Sequence, residues 1–190
     1  MAAAPGGDVR RELGLRSTWF RIGVLALSQP TRPHVWGGTS RLTGIARDLT
    51  AVQLEHIGSG GWRVVAAVKP RPDGSVSLPV RPNATASYRL SSRGARTPPI
   101  RLAVSPQVRL APVTDPMELR GRVRPALAGA AVELQRQTGG SWRTVGRVST
   151  DAAGEFRAQL HVPPGSYRAL VPRPGRGLAA GTSQTLVVAG

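Results

Sequence analysis

Two long stretches of this chain repeat one another, and that duplication limits the fold more than any other feature. From Leu42 the sequence reads LTGIARDLTAVQLEHIGSGGWRVVAAVKPRPDGSVSLPVRPNATASYRL. From Leu119 it reads LRGRVRPALAGAAVELQRQTGGSWRTVGRVSTDAAGEFRAQLHVPPGSYRAL. Landmarks pair in order: Gly44 with Gly121, Val52 and Leu54 with Val132 and Leu134, and Trp62 with Trp142. Gly74 then pairs with Gly154, Val76 with Phe156, and Tyr88 with Tyr167. Self-similarity at a long, nearly constant period marks a structural unit used twice. A catalytic motif has no need of such repetition.

Inside each unit the apolar period is two. Phe156, Ala158, Leu160 and Val162 alternate with Glu155, Arg157, Gln159 and His161, and Val76, Leu78 and Val80 alternate with Ser75, Ser77 and Pro79. Ile100, Leu102 and Val104 continue the pattern. Alternation of this kind predicts strands with one buried face. Clusters such as Pro72-Asp73-Gly74 and Thr138-Gly139-Gly140-Ser141 predict the turns between them. The expected fold is all-β, with two tandem immunoglobulin-like β-sandwich domains, each of about six or seven short strands. Pro79 lacks an N–H and is expected on an edge strand or at a bulge. Residues 1–16 are expected to be a flexible leader or a remnant of preceding sequence, 17–105 the first sandwich and 106–190 the second. Ser17–Pro30 is expected to open the first sandwich as a strand, the alternative being a short helix from DVRRELGL running into it, and the joint near Ser105 to be brief and stiff.

The chain carries 26 basic against 10 acidic residues, a net charge of +16. A nucleic-acid or other polyanion binder is one reading of that balance. Against nucleic acid, Lys69 is the only lysine, and arginine accompanies Ala, Gly, Val and Pro, whose codons are all GC-rich. Arg10-Arg11 is the only adjacent basic pair, so the scatter predicts no single face or tail that concentrates the charge. The absence of cysteine excludes disulfides, thiolate metal sites and thiol catalysis. No apolar run reaches the ~20 residues that would span a bilayer, and the first residues lack the apolar core of a signal peptide.

LGLRSTWFRIGVLAL, followed by SRLTGIARDLTAVQLEHIGSGGWRVV and DGSVSLPVRPNATASYRL, resembles the tandem Ig-like modules of secreted actinobacterial proteins. Those modules trail catalytic domains, notably subtilisin-like serine peptidases. VELQRQTGGSWRTVGRVSTDAAGEFRAQLHVPPGSYRALV resembles the same sort of repeat. The resemblance implies a non-catalytic appendage at the cell surface or outside the cell. Its partners would be the catalytic domain of a longer parent protein, or anionic cell-wall and extracellular polymers. The alternatives are a C-terminal fragment of such a peptidase lacking its catalytic domain, and a basic polyanion or nucleic-acid binder.

A subtilisin-like triad needs converging nucleophile, base and acid. Gly38-Thr39-Ser40 and Gly181-Thr182-Ser183 hold a G-T-S fragment, but neither is followed by Met or Ala. His34, His56 and His161 lie outside any H-G-[ST]-H, and no Asp precedes Ser-Gly or Thr-Gly. No catalytic residue is therefore expected. The separated histidines lack zinc spacing. Asp73 and Asp151, in turns read as matching, each supply one carboxylate where calcium needs several oxygens. Both are expected to cap their turns beside a glycine at positive φ. No metal and no cofactor is expected. Trp62 and Trp142, after equivalent Gly-rich turns, are expected to fill the ends of two cores, with surface contact as the alternative. Trp36, in RPHVWGG, is the better candidate for an exposed contact.

Overall fold

The alternating segments form strands throughout the described part of the computed structural model: residues 22–58 and 60–189, with Asp8, Arg11, Glu12 and Gly14. In the first half these are β1 (Val24–Leu27), β2 (His34–Val35), β3 (Ser40–Arg47), β4 (Gln53–Gly58) and β5 (Gly61–Ala67). They continue as β6 (Ser75–Val80), β7 (Ala86–Ser92), β8 (Ala95–Arg96), β9 (Ile100–Leu102) and β10 (Val104–Ser105). The second half forms β11 (Gln107–Leu110), β12 (Glu118–Arg124), β13 (Ala131–Thr138) and β14 (Ser141–Ser149). It ends in β15 (Glu155–Gln159), β16 (Gly165–Val171), β17 (Gly181–Thr182) and β18 (Leu186–Val188). The opening strand is shorter than Ser17–Pro30, and Ser17–Arg21, with Trp19, lie outside the described residues.

Both halves use the same two sheets. A three-stranded sheet, β1-β3-β6, faces β5-β4-β7 with β8 and β9 both on β7. In the second half β11-β12-β15 faces β14-β13-β16 with β17 and β18 both on β16. Every pairing within these four sheets is antiparallel. Leu42, Leu54, Leu90 and Leu102 meet in one core. Leu119, Leu134, Phe156 and Tyr167 meet in the other. The chain is a pair of immunoglobulin-like β-sandwiches.

The repeated glycines explain themselves at this level. A Cβ on Gly44 would run into the Ala26 carbonyl across the ladder, and one on Gly121 into the Arg109 carbonyl and the Phe156 ring. Each is therefore required where a neighbouring strand approaches closely. Equivalent bulges follow, between Leu54 and Glu55 on β4 and between Leu134 and Gln135 on β13, opposite Val65 and Val145. Pro79 lies on β6, an edge strand, as its missing N–H requires. Tyr167 sends its hydroxyl to the Pro163 carbonyl at 2.6 Å, the hydrogen-bonded tyrosine corner of sandwich folds.

The turns match but their carboxylates do not. Arg71 and Asp151 hold equivalent backbone positions, each bonded to the N–H of Gly74 or Gly154. The Asp73 carboxylate accepts from Ser75 N–H, whereas that of Asp151 accepts from both Ala153 and Glu155 N–H. Both aspartates cap turns whose glycines have φ of 80° and 76°.

The segment joining the halves is bonded on both sides. Ala103 and Ser105 carbonyls accept from His34 and Trp36 N–H at 2.7 and 2.8 Å. Val104 runs parallel to His34, and its carbonyl accepts from Ala179 N–H at 2.7 Å. Ser105 Oγ donates to the Ala180 carbonyl at 2.7 Å, and Thr85 N–H donates to the Gly177 carbonyl at 2.9 Å.

Candidate functional site

The two tryptophans do not enter either core; this corrects the expectation that they fill the core ends. Strand alternation explains why. Leu54 and Tyr88 point inwards, so their neighbours Glu55 and Arg89 point out, and the hairpin register brings Trp62 to the same outer face. The Arg89 guanidinium carbon lies 4.0 Å from the Trp62 ring centroid. Arg89 Nε meets Glu55 Oε2 at 2.5 Å, with the two side chains only 17% and 13% exposed. In the second sandwich Arg168 lies 4.3 Å from the Trp142 ring centroid. Its Nε donates to Gln135 Oε1 at 2.8 Å. An indole, a guanidinium and an acceptor thus form the same half-buried stack in both halves.

The Arg89 hydrogen bond, with a further one from Ser91, holds the Glu55 carboxyl below the usual carboxylate range. Burial pushes the hydroxyls of Tyr88 and Tyr167 above the ordinary tyrosine value. Backbone donation from Ser75 lowers Asp73.

Trp36 is half buried beside the joint, where its N–H holds the Ser105 carbonyl. Trp36 thus follows β2, Trp62 lies in β5 and Trp142 in β14, and among the described residues no two of these rings are paired with each other. Ser183 is 9% exposed, and its hydroxyl accepts from Ala169 N–H and donates to the Gln184 carbonyl. It fastens the end of β17 rather than facing a substrate. His56 stacks on Tyr88 at 5.5 Å, His34 lies in β2 and His161 is exposed, so the three do not converge. Among the described residues no three His, Asp or Glu side chains gather as a metal would need, and no helix is long and apolar enough to cross a membrane.

The even scatter of charge does not survive folding. Alternate positions of β12 send Arg120, Arg122 and Arg124 to the outer face of the three-stranded sheet, beside Arg109 of β11 and Arg157 of β15. These five arginines border one shallow trough of about 870 Å3. The expectation that no face concentrates charge is thereby corrected. The signal was present in LRGRVR, where arginine recurs at the strand period. A second hollow, about 760 Å3, opens between β5 and β6 and is lined by Val65, Leu78, Val80 and Tyr88.

No family model and no curated protein matches the chain. Among solved structures it is similar to a two fibronectin type-III domain segment from chicken tenascin. Identity is 16% and the TM-score 0.40, over 87% of this chain and 98% of that one. The assignment of two sandwiches rests on this chain's own strand registers and cores.

Proposed function

We propose that the chain is a non-catalytic spacer and adhesion module of an exported bacterial surface protein, appended to a hydrolase of the subtilisin-like class. Residues 17–105 would form its first sandwich and 106–190 its second. The observation that carries this reading is the joint. Val104 and Ser105 are bonded to β2 on one side and to Ala179 and Ala180 on the other. A linker so held transmits orientation between its two sandwiches, which is what a spacer requires, whereas an unbonded linker would act as a swivel. The hydroxyl of Ser183, engaged with backbone on both sides, supports a non-catalytic role.

Rotational correlation times from 15N relaxation test the spacer. Both sandwiches should report one common value, and Ser105→Val should separate the two values by loosening the joint. Independent tumbling of the unaltered chain would remove the basis for the proposal. The parent is tested by the open reading frame around this segment, in which a peptidase domain with its G-T-S-[MA] serine is expected.

A further inference from the structure

We propose that the outer face of β11-β12-β15 binds an acidic polysaccharide, one carrying anionic groups and free hydroxyls along a linear chain. This rests on the reading of the chain as a surface adhesion module and names the surface and ligand class that would serve it.

The face is built at some cost to the sheet. Arg109 stands directly opposite Arg122, and Arg120 directly opposite Arg157. Like charges across adjacent strands destabilise a sheet. Arg122 is relieved by Glu155 and Arg157 by Glu118 at 3.3 Å. Among the described residues no carboxylate lies within bridging distance of Arg109, Arg120 or Arg124. All three are exposed. Along β12 the arginines recur every ~7 Å and the strands lie ~5 Å apart. A multiply charged oxyanion chain can therefore meet several guanidiniums at once, each able to bind it through paired N–H donors.

The duplication supplies an internal control. Strand register matches Arg109 with Ala26, Arg122 with Ile45, Arg120 with Thr43 and Arg157 with Ser77. Arg124 alone matches an arginine, Arg47, so the same fold stands in the first sandwich without the other four, which answer no requirement of the architecture.

Two features choose the ligand class. The outward positions of these three strands carry no aromatic side chain, and Phe156 is buried in the core, so nucleic-acid bases would find no stacking surface. Glu118 and Glu155 stand among the arginines as acceptors. Such acceptors repel a bare polyphosphate and suit a ligand that offers hydroxyl donors between its charges.

The experiment uses the full chain and fluorescence anisotropy in 150 mM salt, with a labelled heparin-derived octasaccharide as probe. A hyaluronan octasaccharide and a single-stranded DNA 12-mer are compared in parallel. Arg109→Gln/Arg120→Gln/Arg124→Gln should weaken octasaccharide binding about tenfold or more and flatten its salt dependence. Arg41→Gln/Arg47→Gln/Arg63→Gln removes the same charge from the first sandwich and should change binding less than about twofold. Retained hyaluronan binding would extend the face to carboxylate-only chains; its absence would restrict the face to sulfated ones, and both agree with the proposal. Equal loss in the two triple variants would reduce the effect to net charge and overturn it. DNA bound as tightly as the octasaccharide, and lost in the same variant, would overturn the choice of glycan. No octasaccharide binding would end this proposal while leaving the spacer reading to the relaxation measurement. If the β12-face triple variant unfolds, Arg109→Gln alone carries the comparison, with an expected loss of about threefold.

Discussion

Arg89 covers the face of Trp62 at 4.0 Å while its Nε holds Glu55, and the same contact recurs between Arg168 and Trp142. Each arginine is thereby fixed by a ring on one side and an acceptor on the other. Stacking of this kind contributes about 0.5–1 kcal/mol at exposed sites and about 2 when desolvated. A double-mutant cycle of Trp62→Leu with Arg89→Leu should give a coupling of about 1 kcal/mol, because the pair is only partly buried. Urea unfolding followed by far-UV circular dichroism measures it. A coupling near zero would show that the tryptophan packs without using the charge.

The second sandwich carries Gln135 where the first carries Glu55, so nature has already made one substitution of interest. Glu55→Gln should cost about 1 kcal/mol or less at neutral pH, since the stack keeps its acceptor.

The same pair sets an acid limit. Glu55 has its folded pKa depressed by Arg89, so its stabilisation is fully present above the unfolded carboxylate value. It is lost as pH falls through the lower folded value. Native-state hydrogen exchange resolved by residue should show an acid-labile limb in the first sandwich, and Glu55→Gln should flatten it. At the other extreme, Tyr88 and Tyr167 have raised folded values. Their contribution is fully present below the unfolded value near 10 and is lost above it, so both sandwiches should weaken in strong alkali.

Gly44→Ala and Gly121→Ala should each destabilise their own sandwich by about 1–3 kcal/mol, since the added carbon meets backbone that cannot move aside. Gly58→Ala is the control: its nearest neighbour, His56, would stand 3.8 Å away. Thermal melts of the three variants compare them directly.

Tyr167→Phe removes the hydrogen bond to the Pro163 carbonyl and leaves the ring in place. The expected cost is about 1 kcal/mol, read as a shift in the urea midpoint. No shift would mean that water replaces the hydroxyl at the corner.

The repeat and its period of two carry local information, and local information is sufficient for strands, turns and cores. Alternation alone assigns Leu54, Leu90, Leu134 and Tyr167 to the inside, because a side chain on a pleated strand has only two directions. It likewise sends Arg120, Arg122 and Arg124 to one side of β12. What it does not contain is which strand lies next to which, and at what register. Only the assembled sheets bring Arg109 opposite Arg122 and Arg120 opposite Arg157, turning residues scattered along the sequence into one charged face. The tryptophans divide in the same way. Their recurrence shows a duplicated structural position, but the bulges opposite Val65 and Val145 set the hairpin register, and that register puts each ring outside under an arginine. Sequence determined the unit and its repetition through side-chain periodicity. Tertiary structure decided the charged face, because pairing between strands far apart in sequence, such as β12 with β15, is not set by any single turn.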